Sequence, residues 1–352
     1  MREHLPSLLM RASALMHHLS HFYHAVVRMI EVGLLRFKNS PRIFDRTVDQ
    51  SSTETSSDNT KGRISFRLGQ QISGNSSARD SAETPKYSRI AIRVGMSSYR
   101  DNIYMITCPA RTGSTMLVHL LRSHPEICSH SEVFSSPGTL GGMAGSYEIK
   151  RRAEPDFVER LAAEKDRDPI KFLYKIVLDL QGRKAVCFKL KHDELVLPEY
   201  KVLRDEIVND RDFRIIHLRR ENLLRRYLSH YIANRVTGVT WVVRSQAIPE
   251  VQPVVLDPHD CQKDFETVLG REKEFAELFA EHPGFSISYE EMIAPDAEKI
   301  QSLLDFMGVS PRELTTTTRR LGCDDLRQVI VNFEELRTHF AGSPYSKFFD
   351  QT

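Results

Sequence analysis

The chain has 352 residues, 40% of them hydrophobic, and 49 Lys and Arg nearly balance 47 Asp and Glu, giving a formal net charge of +2. This composition supports one large core, and the near-neutral balance argues against a nucleic-acid partner. The five cysteines are odd in number and contain no CxxC pair, which favours reduced structural thiols over disulfides or a zinc site. We therefore expect a cytoplasmic, reducing location and no bound metal.

The first 50 residues are predicted to contain an amphipathic helix. Apolar residues recur at helical spacing from Leu5 to Phe37, but charged residues such as Arg28 and Glu31 interrupt them, so the helix is not expected to span a membrane. Packing on the domain or a partner is favoured, with organelle targeting and peripheral membrane contact as alternatives. Residues 51–97 begin with a Ser- and Thr-rich stretch that has few large apolar groups, and they are predicted to be a disordered linker.

Residues 98–352 are predicted to form one α/β domain, because short apolar runs alternate there with longer helical patterns. The predicted strands are Asn102–Cys108, Ala185–Leu190, Phe213–Leu218 and Phe285–Tyr289, with a further strand between Ser123 and Phe134. The predicted helices are Thr115–Arg122, Phe157–Glu164, Leu223–Asn234, Ala297–Phe306 and Leu326–Phe340. This alternation is typical of βαβ units and predicts three layers, αβα, around a central, mainly parallel sheet.

The segment from Pro109 to Met116 is predicted to be an anion-binding loop between the first strand and its helix. It contains Arg111, Thr112, Gly113, Ser114 and Thr115, and backbone N–H groups at a helix N-terminus can hold phosphate oxygens. In the nucleotide-triphosphatase pattern GxxxxGK[ST], the first glycine would fall on Cys108 and the lysine on Ser114. The departure favours a sulfuryl donor that needs no metal over a magnesium-bound triphosphate.

The run Arg111-Thr-Gly-Ser-Thr115 resembles the 5′-phosphosulfate loop of the sulfotransferase family. A second resemblance lies in Phe213–Ala233, where Arg219 and Arg220 end a strand and Ser229 follows on a helix. In the family, an Arg and a Ser so placed hold the 3′-phosphate of the sulfuryl donor. Ser229 lies ten residues after Arg219 and nine after Arg220, a spacing similar to that of bacterial carbohydrate and nodulation-factor sulfotransferases, and it leaves open which arginine binds.

Two later stretches are also similar to the family, Ile287–Ile293 around Tyr-Glu and Leu326–Phe340 around Asn-x-x-Glu-Leu. The resemblance therefore covers about residues 100 to 350 and implies a phosphate-loop-like sulfotransferase fold. It also implies that the chain uses 3′-phosphoadenosine 5′-phosphosulfate (PAPS) as its sulfuryl donor.

Candidates for the chemistry follow the first helix. Glu132 precedes Val133-Phe134, as does the base proposed for bacterial-type carbohydrate sulfotransferases, and His130 is the competing base because its ordinary pKa lies near neutrality. Lys189 and Lys191 share one face of a predicted strand and are candidates for acceptor binding.

The resulting hypothesis is a metal-free, in-line transfer of a sulfuryl group from PAPS, with Arg111 as the clamp, to a hydroxyl or, second, an amine. By analogy the acceptor is a carbohydrate or glycolipid. A divergent phosphate-loop kinase and a non-catalytic nucleotide-binding module are the alternatives, and the oligomeric state is open.

Overall fold

The computed structural model describes residues 102–295, 298–322 and 325–350. The predicted N-terminal helix and the linker at 51–97 lie outside the described residues. Within the described part of the chain, no helix is long and apolar enough to cross a membrane.

The core is a parallel five-stranded sheet in the order β2-β3-β1-β4-β6. Its strands are β1 (Ile103–Cys108), β2 (Ile127–Glu132), β3 (Ala185–Lys191), β4 (Phe213–Arg219) and β6 (Gly284–Ser288). A separate antiparallel pair joins β5 (Val242–Val243) to β7 (Thr318–Arg319). Every residue of β1 is buried, as expected for a central strand covered on both faces.

Helices connect the strands and cover both faces of the sheet. In chain order they are α1 (Ser114–Arg122), α2 (Ser146–Ala153), α3 (Phe157–Arg167), α4 (Pro169–Phe172), α5 (His192–Leu195), α6 (Lys201–Asn209), α7 (Leu223–Tyr231), α8 (Pro258–Leu278), α9 (Tyr289–Met292), α10 (Glu298–Phe306) and α11 (Phe333–His339). Single π-type turns follow α4 and α7, at Leu173–Val177 and Ile232–Thr237. Short 3₁₀ turns lie at Pro198–Tyr200, Leu326–Gln328 and Ser346–Phe349.

Alternation along the strands divides the apolar residues between two layers. Met105 and Phe188 pack in the layer on one face, whereas Ile106 and Cys187 pack with α1 and α10 on the other. A third cluster joins α7, α8 and the C-terminal segment. The expected three-layer αβα fold with a mainly parallel sheet is confirmed.

One helix prediction was wrong in detail, and one helix was missed. The sequence predicted one helix over Leu326–Phe340, but the structure has a 3₁₀ turn, an extended segment and then α11. The break occurs because Val254 pairs with the extended backbone, accepting from the Val331 N–H at 2.9 Å and donating to the Val329 carbonyl at 2.7 Å. Helix α8, the longest among the described residues, was not predicted.

Candidate active site

The loop Pro109–Met116 leaves the carboxyl end of the central strand, where parallel sheets of this kind bind ligands. Arg111 and Gly113 both have left-handed backbone conformations, with φ of 69° and 82°. The Thr112 hydroxyl donates to the Pro109 carbonyl at 3.0 Å and closes the turn. No side chain among the described residues caps α1 at Gly113, so its first N–H groups remain available to an anion.

Two features of the structure require glycine at position 113. Its positive φ strains any L side chain, and a Cβ built there would lie 2.5 Å from Tyr289 Cδ2 and 3.3 Å from Met292 Cε. Tyr289 comes from the late Tyr-Glu stretch, which carried only a weak signal in the sequence. In the structure, the Tyr289 ring packs directly against Gly113 of the loop.

The Arg111 side chain joins the two predicted phosphate-binding elements. Its Nε and Nη2 donate to the Ser229 hydroxyl at 3.0 and 2.9 Å, and Nη1 donates to the Thr240 carbonyl. Burial, and then the nearby Arg226, lower the pKa of Arg111 below its ordinary value. A buried cation next to a further cation is costly unless an anion compensates it, so this pair is suited to a phosphate.

The two arginines at the end of β4 have different surroundings. Arg219 is exposed, whereas the Arg220 side chain is 11% exposed and its Nη1 donates to the Arg111 carbonyl at 3.4 Å. The Arg220 guanidinium stacks over the Tyr289 ring at 4.6 Å, and its buried Nε has no hydrogen-bond partner within the described residues. Burial lowers the pKa of Arg220 to about 10, against smaller opposing effects of Tyr289 and Glu290. Arg220 therefore lies at the phosphate loop, and Arg219 does not.

Arg226 of α7 contacts the phosphate loop, although the sequence analysis did not single it out. Its residue is 2% exposed, Nη1 donates to the Ala110 carbonyl at 3.0 Å, and Nη2 pairs with Asp264 of α8. The arginine thus ties α7 and α8 to the loop. Nothing in the apolar spacing of α7 distinguishes Arg226 from an exposed arginine, so the sequence held no signal for this role.

Lys189 lies between the loop and Glu132. Its fully buried ammonium contacts the hydroxyls of Ser114 and Thr115 at 3.2 and 3.4 Å and pairs with Glu132 Oε1 at 2.7 Å. The sequence made Lys189 a candidate for acceptor binding, and the structure places its ammonium at the hydroxyls of the phosphate loop. The lysine that the loop itself lacks is therefore supplied by the neighbouring strand.

Lys191 completes a chain of charges that ends at α5. It contacts Glu132 Oε2 at 3.2 Å and Glu194 Oε1 at 3.2 Å. Burial raises the pKa of Glu132, but Lys189 and then Lys191 outweigh it, and the net pKa lies below the ordinary value. Burial lowers the pKa of Lys191, but Glu194 and then Glu132 outweigh it and raise the pKa overall. Glu132 is therefore ionised at neutral pH, as a proton acceptor must be.

The structure disfavours His130 as a base. Its ring is fully buried, Nδ1 accepts from the Ala144 N–H at 3.0 Å, and Nε2 lies 3.5 Å from Cys128 Sγ. Burial and then Arg122 lower its pKa to about 3. Its packing partners are Ala144, Cys128 and Tyr147, so the ring is a structural element of β2. Met116, in the first turn of α1, is partly buried against the core.

The described part of the chain holds no group of three or more His, Cys, Asp or Glu arranged to bind a metal, and its four cysteines are buried and unpaired.

No family model matches the chain. Nodulation protein H of Rhizobium tropici is 26% identical over 249 residues, which cover 70% of this chain and 92% of that protein. Nodulation protein H of Rhizobium meliloti (strain 1021) is 24% identical over 249 residues, covering 70% and 94%. These matches agree with the loop, the Arg-Ser element and their contact in space. Together with the loop and the Arg-Ser element, the similarity to these relatives supports a sulfotransferase assignment.

Two solved structures are distantly similar to this chain. The sulfotransferase domain from the curacin biosynthetic pathway is 15% identical with a TM-score of 0.41, covering 60% of this chain and 75% of that one. A sulfotransferase from Alicyclobacillus acidocaldarius is 18% identical with a TM-score of 0.38, covering 70% and 93%.

Proposed function

We propose that the chain transfers a sulfuryl group from PAPS to a hydroxyl group of an acceptor, with an amine as the second choice. We further propose that the acceptor is a carbohydrate or glycolipid. The observation that carries this proposal is the contact of Arg111 with Ser229, which joins the two predicted phosphate elements. On the other side of the loop, Lys189 links the loop hydroxyls to the ionised Glu132. A bisphosphate site thus adjoins a proton acceptor.

The 5′-phosphosulfate fits the uncapped start of α1, where the hydroxyls of Ser114 and Thr115 contact the Lys189 ammonium. The 3′-phosphate fits Ser229 and Arg220, whose buried Nε has no hydrogen-bond partner among the described residues. A planar guanidinium can give such a phosphate two charge-assisted hydrogen bonds.

The reaction is a single in-line displacement at sulfur. The acceptor oxygen forms a bond to sulfur while the bond from sulfur to the 5′-phosphate oxygen breaks, and the acceptor proton passes to the Glu132 carboxylate. The products are the sulfated acceptor and 3′-phosphoadenosine 5′-phosphate (PAP). Lys189 stabilises the negative charge that develops on the leaving phosphate, because its ammonium already lies at the loop hydroxyls.

Calorimetric titration of the full chain with PAP, and separately with ATP plus magnesium, tests this function. We expect micromolar binding of PAP without metal, lost in Arg111→Ala and Ser229→Ala. Binding should be kept in the control Ser302→Ala, whose hydroxyl on α10 donates to the Glu298 carbonyl of the same helix. Preference for ATP with magnesium would instead support a divergent phosphate-loop kinase. PAP binding without any turnover of PAPS across an acceptor screen would support a non-catalytic nucleotide-binding module.

A further inference from the structure

Three residues that the proposed function does not use meet in one cavity. They are the exposed Arg219 at the end of β4, the partly buried Glu272 of α8, and Leu269 of the same helix, which is 43% exposed. The cavity has a volume of about 420 Å³, and its walls come from the end of β4, the start of α7, α8 and the C-terminal segment. The convergence of charged and apolar groups on one cavity points to a second ligand site.

The cavity is separate from the phosphate loop. The described residues that line it include none of Pro109–Met116 and neither Ser229 nor Tyr289. Arg220 borders both places, but its guanidinium stacks over the Tyr289 ring beside the loop, at 4.6 Å. Arg219, in contrast, is part of the cavity wall. A ligand in the cavity would therefore meet Arg219 and leave the Ser229 side of the loop free.

The charged side chains of the cavity favour an anionic ligand. Arg219, Arg220 and Lys347 bring three positive charges, against the two carboxyl groups of Glu221 and Glu272. Even with both carboxyl groups ionised, one positive charge is left over, and a monoanion balances it. The planar fork of an arginine can give a carboxylate two parallel hydrogen bonds.

The Glu272 carboxyl is the buried polar group of the cavity that lacks a partner. Its Oε1 is buried and has no hydrogen-bond partner among the described residues. Burial raises the pKa of Glu272 to about 7, against smaller opposing effects of Arg219 and then Arg226. The other titratable groups in the cavity wall are Arg220, Glu221, Tyr345 and Lys347. A large share of the carboxyl is therefore protonated at neutral pH, and its O–H can donate to a bound carboxylate oxygen.

The rest of the wall is apolar. Leu223 and Phe348 are 2% and 4% exposed, whereas Leu269 and Pro344 are exposed. An inorganic anion would leave Leu269 in water and would fill only a small part of the cavity. A ligand with an apolar body would cover this leucine, and removing its surface from water favours binding.

We propose that this cavity is a second ligand site, distinct from the donor site, and that it takes a small organic carboxylate with an apolar body. Arg219 and Lys347 pair with the carboxylate, and the protonated Glu272 donates to it. The apolar body packs on Leu223 and Leu269. The inference goes beyond the proposed function and does not depend on it.

Saturation-transfer difference NMR on the full chain at pH 6, with benzoate and octanoate as probes, tests this site. We expect at least one of the two to bind with a dissociation constant of about 1 mM or below. Benzamide, the uncharged counterpart of benzoate, and formate, which has no apolar body, should bind at least about tenfold more weakly. If neither carboxylate binds, or if benzamide binds as tightly as benzoate, the proposal is wrong.

Two exposed arginines near opposite ends of β4 form the matched pair for locating the ligand. Arg219→Ala removes the main partner of the carboxylate and should weaken binding of the responding probe about tenfold or more. Arg211→Ala removes an equal charge, that of an arginine paired with Glu281, and should change the affinity by about twofold or less. Equal losses in the two variants would place the probe elsewhere and overturn the assignment.

The pH dependence of binding tests the part played by Glu272. The charge of the carboxylate probes does not change between pH 6 and pH 8, whereas burial holds the pKa of Glu272 at about 7. Because a bound carboxylate favours the protonated acid, affinity should fall about tenfold from pH 6 to pH 8. In Glu272→Gln the amide N–H donates at both pH values, so the affinity should change by about twofold or less. An undiminished pH dependence in Glu272→Gln would show that Glu272 does not contact the ligand.

Titration of the probe in the presence of PAP separates the two sites. PAP should weaken probe binding only to a plateau of less than about tenfold, because its 3′-phosphate repels the carboxylate without filling the cavity. An apparent dissociation constant that rises without limit as PAP is added would place the probe in the donor site and overturn the proposal. If the chain binds no PAP, the proposed function fails, and the results for Arg219→Ala and Glu272→Gln still decide whether this site exists.

Discussion

The neighbouring arginines at the end of β4 form a matched pair for mutation. Arg220 is buried at the loop, where its Nε lies 3.9 Å from Glu290 Oε1 and has no hydrogen-bond partner among the described residues, whereas Arg219 is exposed. A hydrogen bond to a charged group is worth about 1.5 to 3 kcal/mol, so Arg220→Ala should weaken PAP binding by about 10- to 150-fold. Arg219→Ala removes the same charge one residue away and should change the affinity by about twofold or less.

Stability provides the internal control for this comparison. Burial lowers the pKa of Arg220 from 12.5 to about 10, so holding its charge in the fold costs up to about 3 kcal/mol, part of which the stacking on Tyr289 returns. Arg220→Met should therefore be as stable as the unsubstituted chain, or more stable, while it loses affinity. This is the pattern of a residue kept for binding.

Isothermal titration with PAP and thermal unfolding of the same samples measure both effects. Arg220→Lys should fall between the unsubstituted chain and Arg220→Ala, because an ammonium keeps the charge without the planar fork. Equal losses of affinity for Arg219→Ala and Arg220→Ala would refute the assignment of the 3′-phosphate to Arg220. A large loss of stability in Arg220→Met would show that this arginine holds the fold together.

Three further predictions concern the loop, the charge chain and α8. Gly113→Ala must place a Cβ 2.5 Å from Tyr289 Cδ2 at a φ of 82°. We therefore expect the free energy of unfolding, measured by thermal unfolding, to fall by about 1 to 3 kcal/mol and PAP binding to weaken. An unchanged melting temperature would show that the Tyr289 side chain can move aside at little cost. Lys189 is the main group that lowers the pKa of Glu132. Because the proposed base is the ionised carboxylate, Lys189→Met should raise the pH below which kcat/KM for sulfuryl transfer is lost. If the acidic side of the pH profile does not move, Glu132 is not the base. Burial raises the pKa of Glu272 to about 7 from an ordinary 4.5, so the unsubstituted chain loses stability as the pH rises between these values. In urea unfolding, Glu272→Gln should be more stable than the unsubstituted chain by about 1 to 3 kcal/mol at pH 8 but not at pH 4. Equal stability of the two chains at pH 8 would mean that water reaches the carboxyl.

The sheet could be predicted from the sequence because buried parallel strands are nearly continuous apolar runs. For example, a strand was predicted at Asn102–Cys108, and the structure has the central strand at Ile103–Cys108. Helix α8 was missed although Asp257-Pro258 is a start signal, with Asp257 capping the Asp260 N–H and a proline in the first turn. Its apolar face is sparse, with Cys261, Phe265, Val268 and Phe275 as its buried residues, so periodicity alone did not reveal it.

The residue types of the candidate site could be predicted, but their contacts could not. The spacing to Ser229 could not decide whether Arg219 or Arg220 lies at the phosphate loop. That choice depends on the side of β4 to which each side chain turns. Arg219 continues the alternation of Ile215 and His217 toward α8, where it helps to lower the pKa of Glu272, and Arg220 leaves the strand toward the loop. Partners such as Asp264 for Arg226 come from helices distant in sequence and were therefore beyond local patterns.

The position of Lys189 changes how the loop should be compared with the triphosphatase pattern. A lysine within the loop would move with the loop backbone, whereas Lys189 is held by a buried strand paired with β1 and β2. From that strand its ammonium reaches both the loop hydroxyls and Glu132. In the proposed reaction, the same cation therefore keeps Glu132 ionised and faces the leaving phosphate. As negative charge moves from Glu132 to the phosphate during transfer, Lys189 can follow it without a change of position, which is the preorganised electrostatic stabilisation that lowers a barrier.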